Sequence, residues 1–179
     1  MNQEQINEWK EKYGEVYALP VDDKTAYLRK PIMVDFKRSF TAMQKDGDLA
    51  FGEVMLDALF IGGDAEIKTD DTYFLPARKE LVSFFNYEDA EIITKGQKSE
   101  IIIDGHRCLV RVITRDDIKT AERKNPSGKP FVTQEKLFEA VCLEKDDAYN
   151  DRDNASIRFP LYQAIEKLQN TKVAILKKL

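Results

Sequence analysis

The sequence predicts an α+β protein of two similar units, residues 1–86 and 87–179, each a β-hairpin packed with three to four helices. Three observations predict it. Stretches rich in β-branched residues flank Asp104-Gly105, a dipeptide that supplies the positive φ angles of a tight hairpin turn. Elsewhere, apolar residues recur at helical spacing between glycine and proline punctuation. The same order of elements also occurs twice, at a shift of 82 residues.

In chain order, residues 2–14 read as a helix, with Ile6, Trp9 and Tyr13 on one face and Gly14 just past its last turn. Residues 15–21 and 24–30 read as strands around Asp22-Asp23. Pro20 cannot donate to a ladder and marks the first as an edge strand. Pro31 suits the first turn of a helix. Met33, Phe36, Phe40 and Met43 then form an apolar stripe ending at Asp46-Gly47. A second helix, 49–61, carries Met55, Leu56, Leu59 and Phe60, and Gly62-Gly63 stops it. Residues 64–71 form an acidic loop. Pro76 is expected in the first turn of the next helix, which turns Leu81, Phe84 and Phe85 inward.

The second half restarts with a short helix at 88–95 ended by Gly96, followed by the hairpin 99–103 and 106–113. A helix at 116–124, a loop at 125–130 and a helix at 134–144 follow, the last carrying Leu137, Phe138 and Val141. After the polar loop 146–154, Pro160 opens a helix to Leu168, and 171–179 is a last short helix with a basic end.

At the shift of 82, Gly14 meets Gly96, Asp22 meets Asp104, Arg29 meets Arg111, Asp35 meets Asp117 and Asp64 meets Asp146. With two more residues in the second acidic loop, Pro76 meets Pro160 and Leu81 meets Ile165. Collinear turn, helix and proline positions point to a tandem duplication. Each unit is close to the lower size limit for a self-sufficient core.

Composition narrows function. The chain has 28 Lys+Arg against 32 Asp+Glu, a net charge of −4, so it lacks the cationic excess with which general nucleic-acid binders displace phosphate counterions. Its longest apolar runs, such as Ile101-Ile102-Ile103, fall far short of a membrane span, and no membrane partner is expected. The start, Met-Asn-Gln-Glu-Gln, has no signal-peptide character. Cys108 and Cys142 have no pair spacing, and the expectation is reduced thiols in a cytoplasm. One histidine and two separated cysteines are too few for the usual structural zinc sites, and no cofactor is expected.

Four features of the sequence bear on chemistry. Asp64, Glu66, Asp70 and Asp71, and again Asp146, Asp147, Asp151 and Asp153, supply oxygens for a hard cation, but their spacing does not match an EF-hand loop, and helix capping explains them better. Gly62-Gly63-Asp64 lacks the Lys-Ser/Thr of a phosphate loop and reads as a helix stop. His106 and Cys108 share a strand face but lack an orienting acid, so they read as structural. Lys119, Arg123, Lys124 and Lys129, with Phe131 nearby, and Lys172, Lys177 and Lys178 read as solvated faces. No catalytic, metal or cofactor residue is assigned, and no partner-binding residue is singled out. A duplicated small domain can leave one apolar stripe, Met33/Phe36/Phe40/Met43 or Leu81/Phe84/Phe85, for a partner.

One resemblance adds to this reading. Glu8-Trp9-Lys10-Glu11-Lys12-Tyr13-Gly14-Glu15-Val16, Tyr27-Leu28-Arg29-Lys30-Pro31 and Leu59-Phe60-Ile61-Gly62-Gly63-Asp64-Ala65-Glu66-Ile67 resemble the tail assembly chaperones of tailed phages and prophages, over about residues 5–90. The resemblance implies a hairpin ending in an Arg-containing strand, then helices. It also implies a non-enzymatic protein that binds tail tape-measure or tail-tube subunits in the host cytoplasm, covering apolar surface and releasing it later. Many such proteins are single units, so a fused pair departs from the pattern. The alternative expectation is a virion structural component or a phage regulator of a host protein. An enzyme ranks third and needs paired carboxylates, such as Asp64 and Asp146, facing one another.

Overall fold

Alternating inward and outward side chains in each hairpin leave one sheet face for helices to cover. A computed structural model of the chain describes residues 3–172 and 174–178. It is α+β, with eight α-helices and two antiparallel sheets among the described residues, and divides into the units Met1–Asn86 and Tyr87–Leu179. No helix among the described residues is long and apolar enough to cross a membrane.

The first unit begins with α1 (Gln3–Tyr13). Gly14 follows at φ 76°, its N–H donating to the Lys10 carbonyl at 2.9 Å. Strands β1 (Val16–Val21) and β2 (Lys24–Arg29) pair antiparallel around Asp22, which takes φ 53°. Helices α2 (Met33–Asp46) and α3 (Asp48–Leu59) lead into β3 (Phe60–Gly63), which returns antiparallel to β2. Then come α4 (Glu66–Thr69), α5 (Asp71–Glu80) and a 3₁₀ turn, Leu81–Phe85. The sheet order β1-β2-β3 makes Pro20 an edge residue. Ala26 and Leu28 face inward and join Met33, Phe36, Leu56 and Leu59 in the core.

The second unit opens with β4 (Glu91–Lys95), β5 (Lys98–Ile103) and β6 (His106–Arg111). Asp104 and Gly105 turn the β5–β6 hairpin with φ angles of 50° and 76°. Helices α6 (Arg115–Arg123) and α7 (Val132–Val141) lead into β7 (Cys142–Lys145). A 3₁₀ turn, Asp147–Asn150, and α8 (Ala155–Gln169) complete it, with sheet order β4-β5-β6-β7. Ile101, Cys108 and Val110 of the sheet join Leu137, Val141 and Leu161 in the core.

Several elements differ from the sequence reading. The segment 88–95 contains a strand, not a helix. Ile92 and Ile93 pair with Ile101 and Glu100, and Gly96, at φ 62°, turns the chain between Lys95 and Lys98. Each sheet therefore exceeds a hairpin. Gly62-Gly63 does not stop a helix; it lies in β3, after α3 has ended at Leu59. A Cβ on Gly62 would stand 2.5 Å from the Trp9 ring, and one on Gly63, at φ 100°, would stand 2.2 Å from the Thr25 carbonyl oxygen. These glycines permit close approach between strands and to α1. The helix expected at 134–144 likewise ends at Val141 and continues as β7.

Residues 64–71 include α4 and are not all loop. Pro31 precedes α2 and lies outside it. Pro76 and Pro160 lie inside α5 and α8 instead of opening them. Each forgoes the bond its amide would make to the carbonyl four residues back, Thr72 or Ser156. Asn2 of the expected first helix, and Val173 and Leu179 of the expected last one, lie outside the described residues. Thr171, Lys172 and residues 174–178 form no helix.

Matching polar ties hold each unit. Arg29 donates bidentately to Asp35 at 2.7 and 2.8 Å and to the Lys30 carbonyl, while Asp35 also accepts from the Ile32 N–H. Arg111 does the same with Asp117 at 2.7 and 2.8 Å and with the Val112 carbonyl, while Asp117 accepts from the Thr114 N–H. Asp64 accepts from the Thr25 N–H and donates its own N–H to the Thr25 carbonyl; Asp146 repeats this with Arg107. The β2–β3 and β6–β7 ladders shift register at Tyr27/Leu28 and Leu109/Val110. Asp70 and Asn154 cap α5 and α8 through the N–H groups of Thr72 and Ser156.

The pairs differ in burial: Asp35 is 3% exposed in its side chain and Asp117 13%. Arg29→Met strands a buried carboxylate and is expected to destabilise the first unit by about 3 kcal/mol. Arg111→Met is expected to cost the second unit about 1 kcal/mol. Urea unfolding followed by fluorescence of Trp9, the sole tryptophan, reads the first unit; far-ultraviolet circular dichroism reads both. The hydrogen bonds from Arg111 hold the Asp117 carboxyl well below the usual carboxylate range. Its stabilisation is therefore complete above about pH 4 and is lost as pH falls through the depressed folded-state value. The stability gap between wild type and Asp117→Asn is expected to shrink on acidification.

Candidate functional site

The helices that carry β3 back to the sheet also leave an exposed seam in the first unit. Phe40 and Met43 from the end of α2, Asp48, Phe51 and Gly52 from the start of α3, and Arg78, Lys79, Val82 and Phe85 around the end of α5 line a groove of about 390 Å³. The aromatic floor is contiguous. Ring centroids of Phe40 and Phe51 lie 5.1 Å apart, Phe51 and Phe85 5.4 Å, and Phe36 and Phe85 5.0 Å. Phe36 is fully buried, whereas Phe40, Phe51 and Phe85 are only half-buried. Val82 is 66% exposed and Leu49, on the neighbouring turn, 45%.

Gly52 sets how closely α3 and α5 approach: a Cβ there would meet the Arg78 Cβ at 3.0 Å. The Arg78 stem is pressed against α3, and its Nε is buried with no hydrogen-bond partner. Among the described residues, Asp48, Arg78 and Lys79 form no ion pair. The groove thus combines apolar surface with two uncompensated cations on one wall and one carboxylate on another. It has the character of a surface that takes an apolar segment of a protein.

The acidic loops, His106, Cys108 and the basic clusters lie elsewhere in the chain. Asp64 and Asp146 are tied to backbone amides of their own units, Asp70 caps a helix, Glu66 pairs with Lys24 at 3.2 Å, and Asp151 accepts from the Asp153 N–H. Among the described residues, no three His, Cys, Asp or Glu side chains gather to hold a metal ion. Cys108 is 2% exposed and burial pushes its thiol up to about 12, while His106 is exposed at the hairpin end. Lys119, Arg123, Lys124 and Lys129 are exposed, and Phe131 stacks on Tyr162 instead of standing free for a base.

A second, polar cleft of about 410 Å³ in the second unit has Glu139, Cys142, Arg152 and Arg158 in its wall. Arg152 is paired with Glu135 and Glu139, and Arg158 donates to the Tyr149 and Asp151 carbonyls. Both arginines are occupied within the unit, whereas Arg78 and Lys79 of the groove form no ion pair among the described residues.

Of the two apolar stripes, Met33, Phe36 and Leu81 went to the core, while Phe40, Met43 and Phe85 reach the groove. Sequence reading missed Phe51, Arg78 and Val82. The signal was available in the internal alignment: Phe40, Phe51, Val82 and Phe85 stand against Glu122, Thr133, Glu166 and Gln169. A position that is apolar in one unit and polar in its counterpart is not set by the shared core.

Cys142, half-buried at the cleft, is expected to react with iodoacetamide in the folded protein, and Cys108 only on unfolding. Peptide mass mapping after timed labelling checks this; equal rates would contradict the placement of Cys108. No family model, curated protein or solved structure matches the chain.

Proposed function

We propose that the chain is a non-enzymatic interaction protein of phage type, a tail assembly chaperone built from two tandem copies of one unit. The observation that carries this reading is the exposed apolar groove of the first unit, lined by Phe40, Met43, Phe51, Val82 and Phe85. Support for the phage assignment is the resemblance of residues 5–90 to tail assembly chaperones. Support for the duplication is the repetition of the Arg29–Asp35 and Asp64–Thr25 ties as Arg111–Asp117 and Asp146–Arg107.

The magnitudes suit capture followed by release. Each apolar side chain fully buried against a partner contributes about 2 kcal/mol. Association itself costs about 4–15 kcal/mol. A groove with a few such anchors therefore binds reversibly, as a factor that hands its client to an assembling tail must. The partner in this reading is a tape-measure or tube subunit held in the host cytoplasm.

The test is co-expression of the full chain with the tape-measure and tube subunits of the same phage. The expected result is co-purification with one of them, lost in Val82→Asp. Failure to co-purify with any tail subunit sinks the assignment. Recovery of the chain in purified particles at the copy number of a tail subunit would show a structural component instead.

A further inference from the structure

We propose that β4 is the docking edge for a second copy of this chain, the two β4 strands pairing antiparallel about Ile93 so that two four-stranded sheets become one. The proposal does not depend on the reading of the chain as a tail assembly chaperone.

A strand edge is a row of unpaired N–H and C=O groups, and natural sheets blunt such edges with proline, bulges or very short strands. Among the described residues the outer strands are β1 and β3 of the first sheet and β4 and β7 of the second. β1 carries Pro20, while β3 and β7 are four residues long and their ladders shift register. β4 has none of these devices. Its five residues pair with β5 without a break, from Glu91 with Ile102 to Lys95 with Lys98. Among the described residues, no backbone group of β4 bonds outside that hairpin. The first unit has α1 in the corresponding stretch of chain, so β4 is no part of the shared frame.

The turn fixes which groups point outward. Gly96-Gln97 joins β4 to β5 in two residues, and the pair that closes such a hairpin, Lys95 with Lys98, is a hydrogen-bonded one. Bonded and non-bonded pairs alternate along the ladder. Glu91, Ile93 and Lys95 therefore direct their backbone groups to β5, and Ile92 and Thr94 turn theirs to the free side. An antiparallel copy centred on Ile93 sets Ile92 of each chain opposite Thr94 of the other, and each such pair exchanges two hydrogen bonds.

Charge selects this register. The only charges of β4 stand at its two ends and are opposite in sign. Centring on Ile93 sets Glu91 of each chain opposite Lys95 of the other, with Ile93 against Ile93 between them. All three lie on the sheet face away from the core, since Ser99 and Ile101, opposite Thr94 and Ile92, are buried. Neither Glu91 nor Lys95 has an ion pair among the described residues. Opposite charges directly across a strand pair stabilise it, and like charges destabilise it. Centring on Ile92 sets Glu91 against Ile93, centring on Thr94 sets Lys95 against Ile93, and a parallel copy in register sets like charges side by side. So short a strand buries less than a permanent dimer does, and the association is reversible and concentration-dependent.

The experiment is sedimentation velocity on the full chain from about 1 µM to about 300 µM. The variants are Thr94→Pro, Glu91→Lys, Lys95→Glu and the double variant of the last two. These side chains are exposed, so the variants retain the fold, which circular dichroism verifies. Thr94→Pro removes an outward N–H but also the Thr94–Ser99 hydroxyl bond at 2.9 Å, which the charge variants leave intact. Wild type is expected to pass from monomer to dimer over this range, and Thr94→Pro to stay monomeric. Glu91→Lys and Lys95→Glu each weaken dimerisation about tenfold. The double variant, and an equimolar mixture of the two single variants, restore opposite charges and dimerise as wild type does. A wild type that stays monomeric, a dimer indifferent to Thr94→Pro, or single variants that neither the mixture nor the double variant rescues overturns the proposal.

Discussion

A bidentate arginine–aspartate pair joins the last residue of a hairpin to the first turn of the helix that follows it. In each unit the arginine ends the second hairpin strand and the aspartate is the third residue of the next helix: Arg29 with Asp35, Arg111 with Asp117. The aspartate also accepts the backbone N–H that opens the helix. Two planar groups held by two parallel hydrogen bonds fix orientation as well as distance. The departing helix is thereby aimed, and the return strand, β3 or β7, depends on that aim, because it reaches the hairpin only after two helices. The aspartate that follows the return strand then locks it to the start of the hairpin's second strand through Thr25 or Arg107.

This frame explains which parts of the fold were legible in the sequence. Turns and caps are local: Asp104-Gly105 and Asp22 specify hairpins by their own backbone preferences, and Gly14 ends α1 for the same reason. The return strands were hidden because they follow their helices with no breaker. Phe60-Ile61 and Cys142-Leu143 extend an apolar pattern that reads equally well as helix, and their strand character comes from pairing with residues more than thirty positions earlier. The strand β4 was hidden by the repeat itself. Gly96 matches Gly14, but the residues before Gly14 form a helix, whereas Ile92 and Ile93 prefer the pleated surface offered by β5. The prolines mark no helix start either: Pro76 and Pro160 sit inside their helices, whose starts are set by Asp70 and Asn154.

The two units solve one packing problem with different surfaces. Where the helix after the hairpin, the next helix and the late helix converge, the second unit uses polar side chains and Phe131, and the first lines a groove with three phenylalanines, Met43 and Val82 beside Arg78 and Lys79. The two units thus share the polar ties and differ in what they place at this junction.

The reading of the first unit's groove as a tail-subunit contact is tested most directly by hydrogen–deuterium exchange of the full chain, alone and saturated with the tail subunit that co-purifies with it. The account requires slowed exchange over the ends of α2 and α5 and the start of α3, residues 40–52 and 78–85, with residues 122–134 and 162–169 of the second unit unchanged. Equal protection in both units, or protection confined to the sheets, would contradict it.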